Sequence, residues 1–288
     1  MSEQAAAPRP PLLLRFRIAQ IRAVTSLLNF LGSRSAGVRV ISRLRSNRAA
    51  QSLLDASLGF RRVFPSFAAA QASASRYIQA GHEHPDEIRY HTSISETVRE
   101  SDYPLLFHLA PLAPQLRHVF DLGGNVGNLF YAYQTQLRFP STLLWTVYDL
   151  PMKKPLGEKL AAERGETRIR FANSVAEASG ADVFIASGSL HYFEQPLHEI
   201  LRTLGRLPDH VFVNRSPTSA GADLITVQDN RSYLVPCKIH SRTSLITGMQ
   251  ALGYELHSEW PVHELRLLVT THPDLSARTY SGFYFRRK

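Results

Sequence analysis

The stretch Val119-Phe-Asp-Leu-Gly-Gly-Asn-Val-Gly-Asn-Leu-Phe-Tyr131 reads as an apolar strand, a tight turn and an apolar helix. Gly123, Gly124 and Gly127 supply the turn with the positive φ and bare backbone that a closely approaching ligand needs. Asn125 is the non-glycine residue that best tolerates a left-handed conformation. Twenty-two residues beyond Gly127, the next strand ends in Tyr148-Asp149-Leu150-Pro151. In a doubly wound sheet the carboxyl ends of neighbouring strands line one crevice, so Asp121, the glycine turn and Asp149 converge there.

A carboxylate at the end of the second strand suits a ribose diol, which nicotinamide, flavin and S-adenosylmethionine all carry. The dinucleotide fingerprint places glycine first, third and sixth. Counted from Gly123, those positions hold Gly123, Asn125 and Asn128, so the pattern fails twice. Asp121, two residues before the first glycine, would repel a pyrophosphate but attract an ammonium or a sulfonium. Charge therefore favours S-adenosylmethionine.

Working outward, short apolar runs alternate with helical patterns. Residues 119–122, 143–148, 168–171, 182–187 and 210–214 read as strands, and 156–164 and 196–204 as helices. Strands apolar on both faces indicate a parallel sheet covered by helices on either side. Further strands are expected at 223–228, 254–259, 265–270 and 280–286, with a helix at 241–252. Residues 59–118 read as mostly helical, broken by Pro65, Pro85, Pro104, Pro111 and Pro114. The expected organisation is a basic helical extension over 1–58, a helical cap or pairing region over 59–118, and a cofactor-binding domain over 119–288. The fold class is α/β, a doubly wound Rossmann-like sheet with a mainly helical N-terminal region.

The net charge of +9 is unevenly placed. Residues 1–62 hold eleven Arg, no Lys, and only Glu3 and Asp55 as acids, whereas residues 63–288 carry 22 charges of each sign. That distribution argues against a nucleic-acid protein, whose basic residues would spread over the folded face. Leu14, Ile18, Ile21, Val24, Leu28 and Leu31 mark one helical face, with Arg15 and Arg22 on another. Residues 12–54 could thus dock on the body, pair two copies in a homodimer, or touch an anionic membrane. No run approaches the roughly 18–20 apolar residues that span a bilayer. Arginines interrupt any secretion signal, and the single cysteine, Cys237, excludes an intrachain disulfide. The expected location is the cytoplasm, with peripheral contact to the inner face of the membrane as a further option.

The segment Asp121-Leu-Gly-Gly-Asn-Val-Gly127 resembles motif I of class I S-adenosylmethionine-dependent methyltransferases, with Asn125 replacing the usual middle glycine. From about Phe60 to Arg286 the chain resembles a bacterial methyltransferase family associated with polysaccharide and secondary-metabolite gene clusters. The supporting segments are Phe64-Pro-Ser-Phe-Ala-Ala-Ala, Ser101-Asp-Tyr-Pro-Leu-Leu-Phe, Ser187-Gly-Ser-Leu-His-Tyr-Phe, Asn214-Arg-Ser-Pro and Gly253-Tyr-Glu-Leu. The resemblance implies that Gly123, Gly124 and Gly127 lie beneath the methionine moiety and that Asp149 takes the ribose hydroxyls. It also implies that Asn173 and Ser174 face adenine, and it adds Leu150 and Ser187 to the cofactor-binding set. The N-terminal 58 residues lie outside it.

Oxygen acceptors of a methyl group benefit from a general base, and histidine suits that task. His191 follows the fourth strand of the sheet, nine residues beyond Asp182. That spacing and the Asp-Leu-Pro at 149–151 are similar to plant-type small-molecule O-methyltransferases, in which the histidine is the base. Tyr192, Asn214, Arg215, Gln228 and Tyr233 are the expected acceptor contacts, although Arg215 could instead pair with Asp182 or Asp229. No metal is expected, because His82-Glu83-His84 is too local to form a site. The sequence lacks a hydrolase elbow and a Walker loop. The reading is a methyltransferase using S-adenosylmethionine, with S-adenosylhomocysteine as product, on a small molecule or glycan intermediate, on oxygen rather than nitrogen. The alternatives are a nicotinamide-dependent oxidoreductase and a non-enzymatic membrane-associated or scaffold protein on a degenerate fold.

Overall fold

A computed structural model of the chain describes residues 27, 59–75, 97–229, 234–267, 269, 275–277 and 279–288. Strand β1 (Gly59–Phe64) leads into α1 (Phe67–Ser75), and α2 (Asp102–Leu109) precedes the main sheet. The alternation then runs β2 (His118–Leu122), α3 (Asn128–Tyr133), β3 (Leu144–Tyr148), α4 (Lys153–Glu163) and β4 (Ile169–Phe171). It continues through β5 (Val183–Ser187), α5 (Leu197–Arg202) and β6 (His210–Ser216). An insert of β7 (Thr218–Ser219), β8 (Leu224–Asp229) and β9 (Leu234–Ser241) follows. The chain closes with α6 (Arg242–Ala251), β10 (Tyr254–Val262) and β11 (Tyr280–Arg287).

Seven strands form one sheet in the order β10-β11-β6-β5-β2-β3-β4. Pairing is parallel from β4 to β6, and β11 runs antiparallel to both β6 and β10. The chain winds one way from β2 to β4, then returns to the other side of β2 with β5. That reversal creates a switch point between β2 and β5, where open α/β sheets bind ligands. Leu122 lies opposite Tyr148 and Ala186, and Ser187 opposite Asn214, so four strand ends open at one level.

Successive strand residues point to opposite faces. Accordingly Val119, Trp145, Ile185 and Phe212 join an apolar cluster with α2 and α3, while Phe120, Phe184, Val213 and Phe283 join another with α5 and α6. Both faces are covered, as the doubly wound expectation requires. Phe60, Leu105 and Leu109 share the first cluster with Val119 and Trp145, so β1 and α2 pack on the same core as the sheet.

Three features depart from the sequence reading. Residues 59–64 begin a stretch expected to be mostly helical, yet they form β1, antiparallel to β8. Strand β9 was not anticipated, because Pro236 and Lys238 interrupt its apolar pattern. It pairs with β8 along its length but with β7 only at His240 and Ser241, leaving Pro236 on an open edge where a missing N–H costs nothing. Together β1, β8, β9 and β7 make a second, four-stranded sheet. Of the strand expected over 265–270, the described residues show isolated bridges at Leu267 and Val269. The expectations for residues 1–58 lie outside the described residues except for Leu27, which is exposed. No helix among the described residues is long and apolar enough to cross a membrane, and no cluster among them could hold a metal ion.

Candidate active site

The glycine turn takes the geometry that its composition demands. Gly123, Asn125 and Gly127 all have positive φ, at 73°, 57° and 93°. The Gly123 N–H donates to the Tyr148 carbonyl at 2.7 Å, tying the turn to the end of β3. Its left-handed backbone lets Asn125 donate its own N–H to Asp149 Oδ2 at 2.8 Å, and the Leu150 N–H reaches Oδ1 at 2.7 Å. Each oxygen of Asp149 keeps a second lone pair for an incoming hydroxyl. Burial raises the Asp149 carboxyl above its ordinary range, against these two bonds and nearby Lys153.

Asp121 lies directly beneath the turn, 1% exposed. A methyl group at Gly124 would overlap its carboxyl, so glycine there is required by close approach and not by φ. Trp145 Nε1 donates to Asp121 Oδ2 at 3.3 Å, whereas Oδ1 is buried with no partner among the described residues. Burial, the dominant influence, pushes this carboxyl up to about 7; the Trp145 bond and Arg215 oppose it, and Asp149 and Asp102 reinforce it. A buried acceptor left bare costs about 1–3 kcal/mol, which a ligand donor or cation would recover.

Asp102, at the start of α2, closes the crevice from the opposite side. It is 1% exposed and accepts from Tyr133 Oη and Arg215, each at 3.0 Å. Its other oxygen takes the Arg99 N–H at 2.9 Å. Arg215 therefore pairs with Asp102; Asp182, one of the partners weighed from sequence, instead takes the N–H groups of Arg117 and His118. The Arg215 backbone holds φ at 50°, a conformation costing a non-glycine residue about 1–3 kcal/mol. Asn214 was expected to contact the acceptor, and the structure corrects this. It is fully buried, donates to the Ser101 carbonyl at 3.0 Å and accepts from Trp260 Nε1 at 3.1 Å. Both ends of its amide are engaged within the protein.

The chain leaves β5 through Gly188 into a single 3₁₀ turn, Leu190–Tyr192. Ser189 Oγ donates to the Leu122 carbonyl, and its Cβ packs where a side chain on Gly123 would lie. His191 follows two residues after Ser189, 3% exposed, with the Tyr192 ring 4.0 Å away and the Tyr280 ring 6.2 Å away. Tyr192 Oη donates to Gln228 Oε1 at 2.7 Å, which joins two of the expected acceptor residues. Tyr233 lies outside the described residues. Ser187 Oγ is buried without a partner among the described residues. Leu150 presents an exposed apolar side chain beside Asp149. Asn173 and Ser174 are exposed beyond β4; both donate backbone N–H groups to Glu177, and Asn173 Oδ1 accepts from Lys154 at 2.7 Å.

Sequence reasoning missed Asp102, Tyr133 and Trp145 as parts of this site. The segment Ser101-Asp-Tyr-Pro was noticed, but nothing local assigns Asp102 its partners.

No protein-family model and no curated protein matches the sequence. Among solved structures, the chain is similar to magnesium protoporphyrin IX methyltransferase from Synechocystis PCC 6803. That match has 13% identity over 70% of this chain and 85% of the other, with a TM-score of 0.43. It is similar to 1,6-didemethyltoxoflavin-N1-methyltransferase from Burkholderia thailandensis at 19% identity, covering 73% and 93%, with a TM-score of 0.44. An O-methyltransferase of neocarzinostatin biosynthesis gives 20% identity, covering 65% and 57%, with a TM-score of 0.40. At these identities and TM-scores the likeness says nothing of what this chain binds or does.

Proposed function

We propose that the chain is an S-adenosylmethionine-dependent methyltransferase, transferring to an oxygen of a small molecule or glycan intermediate. The observation that carries this reading is Asp121, a buried carboxyl with one bare oxygen beneath a glycine turn. Arg215 is paired with Asp102 and Lys153 lies near Asp149, so Asp121 leaves the crevice short of positive charge. A cationic ligand fits that imbalance, and the pyrophosphate of a dinucleotide does not. The seven-stranded doubly wound sheet agrees with what the motif I resemblance implies.

The cofactor, when bound, supplies a methyl group on a sulfonium sulfur. Asp121 offers its ionised carboxylate to positive charge, and Asp149 accepts from vicinal hydroxyls. Leu150 gives a flat apolar wall, with Asn173 and Ser174 at the rim. His191 takes the proton of the acceptor hydroxyl, and Tyr192 and Gln228 orient that acceptor. Alignment of this kind can lower a barrier by roughly 7–11 kcal/mol. The basic N-terminal residues serve attachment, to a second copy or to an anionic surface, and take no part in the chemistry.

A thermal-shift titration tests the reading. S-adenosylhomocysteine at 100 times its Kd should stabilise the fold by about 2.7 kcal/mol, roughly 5–10 °C in a chain of this size. A shift with NAD and none with S-adenosylhomocysteine would overturn it in favour of the oxidoreductase. In the same assay Gly124→Ala, whose new methyl displaces the Asp121 carboxyl, should weaken S-adenosylhomocysteine by at least about tenfold, ~1.4 kcal/mol.

A further inference from the structure

Asp102 engages only part of the Arg215 guanidinium. The hydrogen bond between them runs from Nη1 to Oδ1 at 3.0 Å. Nε and Nη2 make none among the described residues, although the Arg215 side chain is only 9% exposed. In a planar guanidinium the Nε–H and one Nη2–H point the same way, a fork whose spacing matches a carboxylate. That fork is intact here, and neither of its nitrogens is sealed from solvent. We propose that the Nε–Nη2 edge of Arg215 binds a carboxylate carried by the methyl acceptor, which makes the substrate an acid. The proposal rests on the methyltransferase reading and narrows its substrate class.

The backbone is bent to place this edge. Successive side chains of a regular strand point to opposite faces. Yet Asn214 and Arg215, adjacent near the end of β6, both reach Asp102 Oδ1, at 3.4 and 3.0 Å. The positive φ of Arg215 makes this possible, at a cost in strain that a structural ion pair gives no reason to bear. Apolar residues of similar size often match or better a buried pair in stability. Gly188 clears the approach. Its N–H donates to the Asn214 carbonyl at 2.8 Å, and a side chain there would begin 3.7 Å from Arg215 Nε. With glycine that flank of the fork stays bare. The same glycine leads into the Leu190–Tyr192 turn, so the fork adjoins the start of the turn that carries the proposed base.

Charge balance sets the order of binding. Asp102 and Arg215 cancel, and Asp121, when ionised, opposes a second anion in the crevice. S-adenosylmethionine brings an ammonium and a sulfonium against one carboxylate. An acidic acceptor therefore enters most favourably once the cofactor has supplied that net positive charge. Lysine would not serve in place of Arg215, because its ammonium is a point charge without a fork to hold a carboxylate in a fixed plane.

Nitrogen-15 NMR of the full-length wild type, saturated with S-adenosylmethionine, tests the edge. The probe is formate, with formamide as its neutral counterpart, at constant ionic strength. Formate should shift the Arg215 Nε–H and the Gly188 amide together, with half-saturation on the order of 10 mM. Formamide should leave both signals in place. Arg215→Lys keeps a cation for Asp102 but lacks the fork, so there formate should act on the Gly188 amide at least about tenfold more weakly, ~1.4 kcal/mol. If that variant does not fold, the wild-type comparison of formate with formamide decides alone. Formate without a saturable shift, an equal shift with formamide, or an unchanged affinity in Arg215→Lys overturns the proposal. So does S-adenosylmethionine that moves the Arg215 signal and shuts formate out, because the fork then holds the cofactor's own carboxylate. Failure of the wild type to bind S-adenosylmethionine would sink the methyltransferase reading, while formate titrated into the cofactor-free protein would still report on the fork.

Discussion

Asp121→Asn should give a protein that is more stable than the wild type at pH 8 and that holds S-adenosylhomocysteine more weakly. Burial pushes the Asp121 carboxyl up to about 7 in the folded chain, from an ordinary value of 3.8. Between those values the folded state binds a proton that the unfolded state has released. Stability is therefore greatest below the lower value and falls as pH rises through the upper one. At ~1.36 kcal/mol per pH unit, the cost at pH 8 is on the order of 4 kcal/mol. Asparagine carries no charge and can still accept from Trp145 Nε1, so the cost disappears. The melting temperature at pH 8 should rise by several degrees, and at pH 4 the two proteins should melt together. The same carboxylate is the proposed partner of the cofactor's ammonium, the positive charge that S-adenosylhomocysteine retains. The wild type should accordingly lose about tenfold in S-adenosylhomocysteine affinity for each pH unit below 7. The asparagine variant should bind at least about tenfold more weakly at pH 8, charge-assisted bonds being worth ~1.5–3 kcal/mol. A wild-type affinity that stays flat from pH 5.5 to 8 would dismiss Asp121 from this role.

The second large effect concerns the ion pair on the far wall. Asp102→Ala should destabilise the fold by about 3–5 kcal/mol, because it strands the Arg215 guanidinium in a buried position. The Arg215 side chain is 9% exposed and that of Asp102 is 1%, so solvent can do little to rescue either. Arg215→Met should be costly too, since Asp102 then faces Tyr133 and Asn214 without a cation. Combining Asp102→Ala with Arg215→Met removes both charges together and should cost less than the sum of the single changes. Chemical denaturation of the four proteins measures this coupling. Additive losses would mean that the pair contributes nothing beyond its separate contacts.

The parts legible in the sequence are those whose cause is local. The central strands β2, β3, β5 and β6 are buried on both faces, so each appears as an apolar run. The glycine turn and Asp149 lie within one β–α–β unit, and their spacing marks them. The remainder depends on partners far along the chain. Asp102 acquires its role from Arg215, 113 residues later, and no feature of the Ser101-Asp-Tyr-Pro segment announces it. Asn214 looked like a crevice-lining residue because it is polar at a strand end, yet Trp260, 46 residues on, donates to its side-chain oxygen. Strand β9 escaped notice because its proline interrupts the apolar pattern. Edge strands tolerate such irregularity, and so they are the elements a periodicity argument loses.

The pairing of β1 with β8 also sets an order of events during synthesis. Gly59 lies opposite Asp229, and Phe64 opposite Ile225. At ~5–20 residues per second, the ribosome delivers the second partner roughly 10 to 30 s after the first. The nascent chain can bring β2 to β5 together while β1 still waits, holding Phe60 ready for a core that is not yet complete. Over that interval the second sheet is missing beside the Leu190–Tyr192 turn, and this side of the crevice is completed only once β8 and β9 have been made.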